Sequence, residues 1–121
     1  SSALAIGSLA LASALGLVAC APASPSQHGS KLYATMGCLQ CHGATGAGGP
    51  MAPPLTDIEQ HWDRARLAAY LESPRAFLEK DARLAALKQR YSTEMPALGL
   101  SEADRLAVAD HLLELSATPG P

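Results

Sequence analysis

The chain has 121 residues, 48% of them hydrophobic, 17% charged and only 4% aromatic, with a formal net charge of −2. That length holds one small domain, and the charge excludes nucleic-acid binding, because there is no basic tail or stripe to neutralise phosphates. With one Trp, one Phe and three Tyr, the interior must be filled by aliphatic side chains or by something that is not an amino acid.

Charge is distributed unevenly. Every Asp, Glu, Lys and Arg lies at or beyond Lys31. Ala3 to Ala19 is a run of 17 residues without charge, between the length of a signal-peptide apolar region and the ~20 residues of a membrane-spanning helix. It leads into Leu17-Val18-Ala19-Cys20 and then a Pro-, Ser- and Ala-rich stretch. Leu-Val-Ala-Cys resembles the lipobox of bacterial lipoproteins. That resemblance implies cleavage before Cys20, lipid on its sulfur, and firm anchoring by two or more acyl chains. The alternatives are an uncleaved membrane helix extended through Ala21 and a plain secretory peptide. All three readings export the domain, so residues 1–20 are expected to be a leader or anchor and 21–28 a flexible tether. The domain is expected to be membrane-anchored and to face the periplasm or the cell exterior.

Beyond the tether the sequence predicts helices only. Ser24 to His28 reads as a loop, and Gly29 to Met36 as a short helix with Leu32, Tyr33 and Met36 on one face. Gly43 to Pro54 has four Gly and three Pro; it is a long loop of the kind that wraps something. Trp62 to Leu71 is a helix with Leu67, Tyr70 and Leu71 inward, halted by Pro74. Arg75 to Arg90 is a second helical stretch with Phe77, Leu78, Leu84 and Leu87 as its apolar members. Ser101 caps a last helix with Glu102 and Asp104 in its first turn, and with Leu106, Val108, Ala109, Leu112, Leu113 and Leu115 inward. No run of β-branched or aromatic residues supports a strand, so the fold class is all-α.

The chemistry lies in Cys38-Leu39-Gln40-Cys41-His42, a C-x-x-C-H motif, which is the signature of c-type haem attachment. On a helical turn, residues three apart share a face. Both sulfurs can therefore reach the vinyl groups on one porphyrin edge, while the adjacent imidazole points to the iron. A thioredoxin-like pair would want a preceding strand, and a zinc finger would want four ligands at other spacings. A Cys38–Cys41 disulfide would close a tight, strained ring.

With that motif, residues 29–116 resemble a class I, mitochondrial-type bacterial cytochrome c. Gly29 and Tyr33 stand where that family packs a Gly and an aromatic against its C-terminal helix. Pro53-Pro54-Leu55 resembles its Pro-x-Leu, Leu67 to Pro74 its middle helix, and Met95-Pro96 with the last helix its closing segment. His111 takes a position where the family often has Tyr. The resemblance implies four to five helices wrapped around one covalent haem c, held through Cys38 and Cys41. It also implies His42 as proximal ligand with its ring N–H on the Pro53 carbonyl, and Met95 as the second axial ligand. Met36, just ahead of the motif, and Met51, in the wrapping loop, read as core filler. His61 and His111 are the alternative ligands, and His28 reads as solvated.

The expected function is that of a membrane-tethered, mono-haem one-electron carrier between periplasmic or membrane redox partners, with no small-molecule substrate and no catalytic residue. The alternative is a permanently bound electron-transfer subunit of a larger membrane oxidoreductase complex. A sensor or peroxidase with an open iron position is a third possibility. Residues 117–121 form a tail.

Overall fold

A computed structural model describes residues 24–117. The leader, Cys20 and most of the expected tail lie outside the described residues. Within them the chain is helical, with no strand.

Helix α1 (Pro25–Thr35) starts earlier than the sequence suggests. Ser24 accepts the backbone N–H of Gln27, and Gln27 reaches back to the Ser24 backbone, so the two form a reciprocal cap with Pro25 at the first helical position. That arrangement satisfies donors which otherwise have no partner at a helix start. The loop expected over Ser24 to His28 is thus mostly helix. The Pro and Ser residues that read as breakers are its cap.

The motif itself forms α2 (Cys38–His42), and a 3₁₀ turn follows at Ile58–Gln60. Helix α3 (Arg64–Glu72) is capped by Asp63, which leaves Trp62 ahead of the helix instead of opening it. The stretch expected as one helix from Arg75 is two, α4 (Pro74–Leu78) and α5 (Ala82–Arg90). Asp81 separates them: its carboxylate accepts from the backbone N–H groups of Arg83 and Leu84, and a side-chain acceptor in that position starts a helix anew. Helix α6 (Glu102–Ala117) starts as expected, with the Ser101 hydroxyl accepting from Asp104 N–H. Among the described residues no helix is long and apolar enough to cross a membrane.

Helix α6 is the spine of the fold and packs on α1 and α3. It meets α1 at Gly29, where an added Cβ would overlap the Ala107 carbonyl. Only a residue without a side chain permits that approach. Tyr33 lies beside this crossing, 2% exposed, with its ring 5.2 Å from that of His111 at 64°, an edge-to-face contact of favourable geometry. His28 is exposed, as expected, and also bonds Asp104 of α6 through Nε2 at 2.9 Å. The core joins Tyr33, Leu67, Leu71, Val108, Ala109 and Leu112 with Ile58, Trp62, Ala68 and Leu84. Trp62, Tyr70 and Phe77 form a ring cluster, Trp62 tilted against the other two and Tyr70 edge-on to Phe77, with Arg66 4.5 Å above the Trp62 ring. Arg66 also donates to the His61 carbonyl and pairs with Asp81, tying α3 to the start of α5.

Candidate cofactor cleft

A cleft of about 360 Å³ opens between these helices. Its walls are mainly apolar, from Ile58, Leu67, Leu71, Leu84, Val108 and Leu112 among others. Cys38, Cys41, His42, Pro53 and Met95 all face it. Five residues picked from three separate stretches of sequence therefore meet at one place. Cys20 lies outside the described residues.

Helix α2 delivers three of the five. Its five residues bury no side chain completely, so the Cys38 and Cys41 thiols, neither in a disulfide, remain available to the cleft. Burial pushes the Cys38 thiol above its ordinary range, and the nearby Cys41 sulfur adds to the rise against a lowering backbone hydrogen bond. No group of three or more His, Cys, Asp and Glu among the described residues is placed to hold a metal ion.

His42 has a defined tautomer. Its Nδ1 lies 2.9 Å from the Pro53 carbonyl oxygen. A carbonyl can only accept, so Nδ1 carries the proton and Nε2 keeps its lone pair. Burial lowers the imidazole pKa, opposed by the Pro53 bond, which raises it. The ring is neutral near pH 7, as a ligand to iron must be.

The loop after the motif sets this bond. The Gly48 N–H donates to the His42 carbonyl at 2.7 Å, and the Leu55 N–H to the Gly46 carbonyl at 2.7 Å. Gly48 has φ +81°, and a Cβ there would come within 2.6 Å of Pro54 N and 2.9 Å of the Pro53 carbonyl carbon. Gly48 thus lets the Pro53 carbonyl reach His42. From the other side, the Tyr33 hydroxyl donates to the Gly43 carbonyl at 2.6 Å. The sequence marked the loop as Gly-rich and Tyr33 as a packing residue, but neither signal points to these two bonds.

Met95 is half-buried and faces the cleft from the segment between α5 and α6. Met36 and Met51, expected as core filler, are instead 37% and 49% exposed, and both line the cleft. The alternative ligands are not brought to the cleft: His61 is exposed near Asp57, and His111 packs on Tyr33.

Two half-buried thiols, an adjacent neutral imidazole, an apolar slot and a thioether together suit a flat apolar macrocycle with a metal at its centre. The residues present fit covalent haem c.

Comparison with known proteins agrees. The family model described as cytochrome c matches residues 26–116. Among solved structures, a cytochrome c from Rhodothermus marinus shares the fold, with a TM-score of 0.62 and 22% identity, over 76% of this chain and 77% of that one. A search of curated proteins found no match.

Proposed function

The chain belongs to the cytochrome c family, and from that membership we propose that it is a membrane-tethered, mono-haem carrier of single electrons, with His42 and Met95 as axial ligands. Covalent haem c and electron transfer come with the family. The observation that carries the finer reading is the placement of Met95 on the same cleft as His42, Cys38 and Cys41.

Haem, when bound, supplies an iron that takes up and gives up one electron. The rest is done by the chain. Cys38 and Cys41 hold the ring covalently, so the carrier cannot lose it between partners. The Pro53 carbonyl fixes the plane of the His42 imidazole and raises its basicity, favouring the oxidised state. The Met95 thioether acts in the opposite direction and favours the reduced state relative to a second imidazole. Ile58, Leu67, Leu71, Val108 and Leu112 exclude water, which penalises added charge at the metal. Met36 and Met51 are exposed and line the cleft, apolar surface suited to brief contact with a redox protein, and the small net charge supplies no strong steering field.

A lipid on Cys20, or a retained apolar helix through Ala19, would hold the domain near membrane partners and raise its effective concentration there. Mass spectrometry of the mature protein tests haem, lipid and cleavage point together; a soluble chain without lipid, cut after Cys20, would rule out the tether. Replacing Met95 with Ala tests the ligand. The weak near-infrared sulfur-to-iron band should vanish and the potential should fall. If both persist, the thioether ligand lies elsewhere.

A further inference from the structure

The segment that carries Met95 has little of its own to hold it. Among the described residues, no backbone–backbone hydrogen bond involves residues 92–100. Pro96 has no N–H to give. Regular structure would normally restrain a stretch of this length through its own ladder of bonds. Here the restraint is left to side chains.

At the near end Glu94 lies 3.8 Å from both Arg75 and Lys88, long contacts between exposed groups, which contribute little. At the far end Arg105 reaches back from the first turns of α6. Its Nη1 donates to the Leu100 carbonyl, and its Nη2 lies 3.8 Å from the Glu72 carboxylate of α3. The Arg105 side chain is only 15% exposed, and its Nε is buried without a partner. A guanidinium kept in such a place, at the cost of one unmet donor, is anchored by the bond its Nη1 makes.

We infer that Arg105 is a positioning residue for Met95: it clamps the Met95 segment to α6 and sets how readily the thioether leaves the cleft. The inference rests on Met95 as ligand, but the clamp itself can be measured without that reading. Leu100 offers only a backbone carbonyl, so the clamp must be broken from the Arg105 side. Glu72 is 65% exposed, and its long contact adds little.

The test uses the full, haem-loaded chain and its Arg105→Leu and Arg105→Lys variants. Imidazole is added to the oxidised protein while the sulfur-to-iron band is followed, and chymotrypsin cleavage within residues 92–100 is timed. A lost charge-assisted bond should make the segment open about tenfold more often. Arg105→Leu should then need about tenfold less imidazole for half-loss of the band and be cut about tenfold faster. Arg105→Lys, which keeps a charged donor near the Leu100 carbonyl, should move both the same way by less, and it decides the matter if Arg105→Leu does not fold. Unchanged values in both variants would overturn the inference, as would faster cleavage with an unchanged imidazole half-point. If the unaltered protein shows no such band, Met95 is not the ligand. The cleavage rates then decide the clamp alone, with unchanged rates overturning it.

Discussion

The hydroxyl of Tyr33 donates to the carbonyl of Gly43 at 2.6 Å, which fastens the residue directly after His42 to the helix pair α1–α6. One phenol thus joins the packing of the fold to the end of the haem-binding motif. Tyr33→Phe should cost about 1 kcal/mol of stability in denaturant titrations, since the ring stays and one hydrogen bond goes.

The same phenol fixes a pH response. Burial pushes the Tyr33 pKa up to about 12, with a smaller push from Cys38. Above pH 10 the unfolded chain ionises this tyrosine while the folded chain retains its proton. The folded state then binds more protons, so stability falls as pH rises from about 10 towards 12. Tyr33→Phe should remove this part of the alkaline decline; an identical decline in the variant would assign it to other groups.

Gly29 predicts a steric cost. A methyl group there would overlap the Ala107 carbonyl, and backbone on a packed helix cannot step aside easily. Gly29→Ala should destabilise the protein by roughly 3 kcal/mol, visible as a lower denaturation midpoint. Separation of α1 from α6 should accompany it.

Gly48 predicts a change in potential. Gly48→Ala forces a Cβ towards the Pro53–Pro54 backbone at a φ of +81°, moving the Pro53 carbonyl off His42 Nδ1. A less basic imidazole stabilises oxidised iron less well, so the potential should rise. Voltammetry of the variant checks the sign, and an unchanged potential would mean that the carbonyl stays in place.

His111 predicts behaviour in acid. Burial lowers its pKa, with Glu114 acting the other way. Below about pH 6.5 the unfolded histidine gains a proton before the folded one does. Stability should therefore fall as pH drops through that range. His111→Phe keeps a ring against Tyr33 and should flatten this slope in melts recorded at successive pH values.

Much of this was legible in the sequence. The C-x-x-C-H motif named its own chemistry. Leu67, Leu71, Val108 and Leu112 announced a helical core by spacing, and all are buried. Met95 and Pro53, from the family resemblance, do face the cleft. What failed was local punctuation. Pro25 looked like a breaker because proline disfavours helix interiors, yet at a first helical position its missing N–H costs nothing. Asp81 fell inside what read as one helical stretch from Arg75 to Arg90, whereas its carboxylate caps the start of a separate helix. Met36 and Met51 looked like core because methionine usually is, but burial depends on which neighbours have already filled the space. The bonds from Tyr33 to Gly43 and from Arg105 to Leu100 end on backbone carbonyls, which every residue has, so composition could not single them out.

Helix α1 starts at a reciprocal cap and lies against α6 through Gly29 and the His28–Asp104 bond. That arrangement has a mechanical side. A pull on the chain ahead of Ser24 enters the domain through α1 and is resisted first by its seat on α6. The load reaches the helix pair α1–α6 before it reaches the cleft.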